Sequence, residues 1–101
     1  MVRRQDDDLA AAARLLNISI EQLRETPIGA ILIQRDSRFA LQFVKLLQRL
    51  IRNTGSVEYT KAWLDAPHDD LEGRSPLSVI RAGHISVIED LIAAYETGQP
   101  S

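Results

Sequence analysis

Between Arg38 and Arg52 the chain places Phe39, Ala40, Leu41, Phe43, Val44, Leu46, Leu47, Leu50 and Ile51 on one broad side of a helix. The polar remainder is a narrow stripe of Gln42, Lys45, Gln48, Arg49 and Arg52. A surface helix of a globular domain turns an apolar face of roughly 100° toward its core. This arc is wider than one neighbouring helix covers. The segment is therefore either the central core element or a seam shared with a second copy, with Phe39, Phe43, Leu46, Leu47 and Leu50 as the contact set. Asp36 or Ser37 is placed to cap it, and Gly55 to end it.

The segments on either side also read as helices. Leu9, Ala12, Ala13 and Leu16 form one stripe behind an acidic start, which suits a helix N-terminus. Ser19 stands three residues before Gln22, a capping-box spacing, and Ile18 and Leu23 occupy the hydrophobic-staple positions. Pro27 and Gly29 are expected to stop that helix. Residues 28–34 are β-branched enough for a strand but have no second strand to pair with, so a further short helix or an ordered connector is expected. Ser56 opens a helix that carries Tyr59, Ala62, Trp63 and Leu64 toward Pro67. Ser75 and Pro76 fit the cap and first positions of another helix, ending near Gly83. Ser86 and Glu89 suggest a second capping box for a last helix reaching about Tyr95, with Gly98 and Pro100 beyond it. The fold class is all-α: a compact bundle of five to seven helices with one long central helix.

A chain of 101 residues is one small domain by length. Burial at this size leaves a thin stability margin, which a partner or a second copy would widen. Cysteine is absent, removing disulfides, thiolate metal sites and thiol nucleophiles. Arg3 and Arg4 are followed by Asp6, Asp7 and Asp8 where a leader would turn apolar, so no secretory leader is read. No run approaches the ~20 apolar residues of a membrane span. A soluble, cytoplasmic protein is expected. Charge is uneven along the chain. Residues 1–54 hold nine basic and six acidic side chains, and residues 55–101 hold three basic and eight acidic. The two ends therefore suit different partners.

Residues that carry chemistry are few. His68, Asp69 and Asp70 are adjacent, but three consecutive residues seldom converge on one ion, and a solvated loop is expected. His84 reads as a junction residue before the last helix, with a partner contact as the alternative. Ser86 is accounted for as a cap. The Gly73, Arg74, Ser75, Pro76 run is too short for a phosphate loop and follows no strand. No cofactor, metal or catalytic set is read, and enzyme activity is not expected. Trp63 is expected to be a core anchor among Leu64, Leu71, Leu77 and Ile80.

Residues 9–23 resemble the first two helices of a helix-turn-helix unit. A recognition helix should then offer polar side chains to base edges, yet residues 26–33 are apolar and interrupted. Arg35, Arg38, Lys45, Arg49 and Arg52 would suit phosphates, or simply a solvated face.

The C-terminal half holds an ordered set of anchors: Ala62, Trp63, Leu64, Pro67, His68, Leu71, Glu72, Gly73, Pro76, Leu77, Ile80, Gly83, Val87, Leu91, Ile92 and Gly98. Over residues 38–98 this pattern resembles the toxin-binding domain of the MbcA/ParS/Xre antitoxin family. Several members have asparagine beside the proline and a second glycine before Gly73, where this chain has His68 and Glu72. The resemblance implies an antitoxin domain at 36–101 behind a short helical region at 1–35, which is at most a reduced helix-turn-helix. It also implies a RES-domain toxin that consumes NAD⁺ as partner, blocked at its active-site entrance by direct binding. Homodimers or larger hetero-oligomers, and repression of an operator, are further family properties. Glu72, Arg74, His84, Glu89, Asp90, Glu96, Gln99 and Ser101 are the candidate toxin contacts. Trp63, Pro67, Leu71, Gly73, Pro76 and Gly83 are the structural anchors.

Overall fold

A computed structural model describes residues 5–98, with side chains from Asp7 onward. Among the described residues there are seven α-helices, one 3-10 turn and no strand. The helices are α1 (Gln5–Leu16), α2 (Ile20–Arg24), α3 (Pro27–Gln34), α4 (Ser37–Thr54), α5 (Val57–Asp65), α6 (Pro76–Arg81) and α7 (Ile85–Glu96), with the 3-10 turn at Asp69–Leu71. The all-α reading holds. The chain falls into two packed units, Met1–Arg49 and Leu50–Ser101, which divide inside α4. The boundary read from the sequence, at 35/36, lies at the start of that helix.

In the first unit α1, α2 and α3 pack on one another. Leu9, Ala12, Ala13 and Leu16 are buried as the stripe required, and Asp8 in the first turn is buried with them. Asn17 ends α1 in the left-handed region at φ 61°. Ile18 N–H then reaches the Ala13 carbonyl and Asn17 N–H the Arg14 carbonyl, a Schellman closure. The Ser19 box is complete: Ser19 Oγ accepts from Gln22 N–H at 3.1 Å, and Gln22 Oε1 accepts from Ser19 N–H at 2.9 Å.

Residues 27–34 correct one expectation and settle another. Helix α2 ends at Arg24, ahead of Pro27 as expected, and Pro27 itself opens α3 at the position where its missing N–H costs nothing. Thr26 caps that helix, with Oγ1 accepting from Gly29 N–H at 3.0 Å and donating to the Leu23 carbonyl at 2.6 Å. Gly29 lies inside the helix and is buried, because the backbone passes so close to Leu23 that a Cβ would overlap its carbonyl. Of the two options left open for this stretch, the helix is the one adopted.

Helix α4 is capped by Asp36, whose Oδ1 accepts from Phe39 N–H at 2.9 Å. Phe43, Leu46, Leu47 and Leu50 are buried within the single chain. At these four positions the core alternative therefore holds over a seam with another copy. Phe39 is half-buried and carries the Arg35 guanidinium 5.1 Å from its ring centre.

In the second unit α5 packs on α6 and α6 on α7, with Leu64, Leu71, Leu77, Val79, Ile80, Ile85, Ile88 and Ile92 buried. Ser56 caps α5 and Ser75 caps α6, each accepting from the N–H three residues on. Glu72 holds φ 57° between the 3-10 turn and Gly73, a left-handed conformation that suits glycine better than a branched chain. Helix α6 ends in a second Schellman closure, with Gly83 at φ 99° and His84 N–H on the Val79 carbonyl. The expected Ser86 box is absent. Because that closure runs straight into the next helix, α7 starts at Ile85, its N-cap residue is His84 without a side-chain cap bond, and Ser86 lies exposed within the first turn.

Candidate functional site

Hydroxyl chemistry at the end of α4 builds one wall of the site. Gly55 turns the chain at φ 73°, and Thr60 on α5 is buried beneath it. Thr60 Oγ1 donates to the Ser56 carbonyl at 2.8 Å and lies 2.9 Å from Thr54 Oγ1, so the buried hydroxyl is satisfied. The joint fixes α5 relative to the last turn of α4, and one face of α5 then presents Tyr59 and Trp63, one turn apart.

These residues line a groove of about 660 Å³ together with Leu50, Asn53, Thr54, His68, Ile92, Tyr95 and Glu96. All of them belong to the second unit. The Trp63 and Tyr95 rings meet edge-on, with centroids 6.4 Å apart and planes at 80°. The His68 ring also packs against Trp63, with centroids 4.9 Å apart, and hydrogen-bonds the Trp63 carbonyl through Nε2 at 3.1 Å. Its backbone N–H binds the Arg74 carbonyl, which draws the 67–74 loop closed. Glu96 Oε2 accepts from Asn53 Nδ2 at 2.9 Å, joining α7 to the end of α4. Burial, and after it the Asp70 carboxylate, raises the Tyr95 phenol above its ordinary pKa of 10.0.

Two expectations change here. Trp63 is half-buried and faces the groove, and the fully buried residue beside it is Leu64. His68 is not a solvated loop residue, because its ring is packed and bonded. Asp69 and Asp70 do lie exposed, in the 3-10 turn. Among the described residues no three His, Asp or Glu side chains come together to hold a metal.

Of the candidate toxin contacts, only Glu96 reaches the groove. Glu72, Arg74, His84 and Asp90 are exposed elsewhere, and Glu89 is half-buried on α7. Gln99 and Ser101 lie outside the described residues. Among the anchors, Leu71 and Pro76 are buried and Gly73 and Gly83 take positive φ, whereas Pro67 is exposed. The sequence reading missed Asn53, Tyr59 and Tyr95 as site residues. The four-residue spacing from Tyr59 to Trp63 was the available signal. No protein-family model, curated protein or solved structure matches the chain.

Proposed function

We propose that the chain is a non-catalytic binding protein, an antitoxin that silences a RES-type, NAD⁺-consuming toxin by occupying its active-site entrance. What carries the reading is where the anchor pattern falls. Leu71 and Pro76 enter the core, Gly73 and Gly83 take turns that L-residues resist, and Trp63 opens onto a surface groove. Several of the residues that make the sequence resemble toxin-binding domains thus help shape one small helical unit beside a recess, which supports the reading. The acidic balance of residues 55–101 also suits a partner whose pocket holds a pyrophosphate and is therefore basic.

Co-expression with the product of the neighbouring toxin gene tests this. Co-elution on size exclusion and loss of NAD⁺ consumption at equimolar ratio are expected. Undiminished NAD⁺ consumption without co-elution overturns the proposal, and the same column gives the stoichiometry. Operator binding gains little from α3. The helix in the recognition position buries Ile28, Gly29, Ile31 and Leu32 and offers Gln34 as its one polar side chain.

A further inference from the structure

Helix α7 packs into the core of the second unit through Ile85, Ile88 and Ile92. It also carries a second apolar row. Val87, Leu91 and Tyr95 follow one another at four-residue steps, so they line one side of the helix over about 12 Å. Val87 is 44% and Tyr95 46% exposed, and Leu91 is half-buried, so folding of the chain leaves this row in contact with water. On α5, Tyr59 is 62% exposed and lines the same groove as Tyr95. The Trp63–Tyr95 ring contact joins the two helices at this surface.

The charge beside the row has one sign. Helix α7 contains three acidic residues and no basic one. Asp90 is exposed and stands three residues after Val87, next to the row. Asp70 is exposed and near enough to act on the Tyr95 phenol. The groove lining includes no lysine or arginine. A second copy docking through the same face would bring acid against acid. A basic partner meets complementary charge.

We infer that Val87, Leu91 and Tyr95 of α7, with Tyr59 of α5, form a docking face for an amphipathic helix of another protein, one with lysine or arginine beside its apolar row. A helix fits because its apolar side chains recur at the pitch of the α7 row and can interlock with it. An extended segment would need a sheet edge for its backbone, and the described residues hold no strand. The apolar contacts hold such a complex, while Asp70 and Asp90 favour the basic partner and speed its encounter.

The full chain is titrated with a blocked leucine–lysine peptide of about 14 residues, its leucines at three- and four-residue spacing. A scrambled peptide of the same composition and a leucine–glutamate peptide of the same pattern run in parallel. Backbone amide NMR shifts locate the site, and fluorescence of Trp63, the sole tryptophan, follows saturation. Saturable binding with the largest shifts in α5 and α7 is expected, about tenfold weaker with either control. Tyr59→Ser and Val87→Ser should each weaken it about fivefold while leaving the urea midpoint within error, since both side chains are exposed. No saturable binding, equal binding of either control, shifts centred elsewhere, or unchanged affinity in both serine variants overturns the inference. Because the titration uses the chain alone, its failure leaves the toxin assignment standing.

Discussion

His68 Nε2 hydrogen-bonds the Trp63 carbonyl at 3.1 Å while its ring packs against the Trp63 indole. A carbonyl only accepts, so Nε2 is the donor in this bond. One side chain thereby bonds a carbonyl at the end of α5 and packs against the indole. His68→Ala should cost about 1–3 kcal/mol, the sum of one hydrogen bond and one aromatic contact. Urea unfolding followed by circular dichroism measures it. A loss indistinguishable from zero would mean the ring contributes no support.

Gly29→Ala reverses the usual sign of a glycine-to-alanine change inside a helix. Alanine normally gains about 0.5–1 kcal/mol there. At this position the new methyl overlaps the Leu23 carbonyl, which is backbone and cannot swing away. A net destabilisation of about 1–3 kcal/mol is expected from overpacking. A raised melting temperature would contradict the close approach of α2 and α3.

The two serines read as helix caps should separate cleanly. Ser75 Oγ accepts from Ser78 N–H at 3.2 Å, and Ser75→Ala should cost about 1 kcal/mol. Ser86 caps nothing, and Ser86→Ala should fall within about 0.5 kcal/mol of the parent chain. Equal losses in paired urea titrations would restore Ser86 as the cap.

Tyr95 gives the protein a stability change in alkali. Its folded pKa exceeds the 10.0 of the unfolded chain, so the native state holds that proton more tightly. The associated stabilisation is full below pH 10.0 and disappears as pH rises through the folded value. Asp70→Asn should lower the folded value without returning it to normal, because burial is the larger cause. Tyrosinate absorbance, with Tyr95→Phe to assign the step, checks this. An Asp70→Asn titration that superimposes on the parent's would refute the contribution of Asp70.

Much of the fold is legible where local chemistry and global packing agree. The Ser19, Ser56 and Ser75 caps, the stripe of α1 and the arc of α4 all follow from spacing alone. Pro27 follows the end of α2 and also opens α3, because proline's φ suits both roles, and the Thr26 hydroxyl, bonded to Gly29, places that glycine inside a helix rather than at a stop. Ser86 was misread because a capping box is a pattern of side chains, while the start of α7 is fixed by the backbone closure at Gly83. The groove was the least legible part. Its residues come from α4, α5, the His68 loop and α7, and no periodicity within one helix announces that their aromatic faces meet. Trp63 was placed in the core on composition, since a lone tryptophan is usually buried, and its half-exposure depends on that long-range assembly.

Helix α3 also carries a liability. Residues 28–33 contain three isoleucines, one leucine and no charge, a composition that prefers extended pairing and becomes helical here by burial of one side. Loss of that burial releases a stretch suited to intermolecular β-stacking, with Pro27 and Arg35 standing as gatekeepers at its borders. Ile33 is the exposed member, at 39%. Ile33→Lys should therefore slow light scattering on heating without lowering the melting temperature. Aggregation resistance in this protein then rests both on how rarely the helix opens and on how well the released segment can pair with another copy.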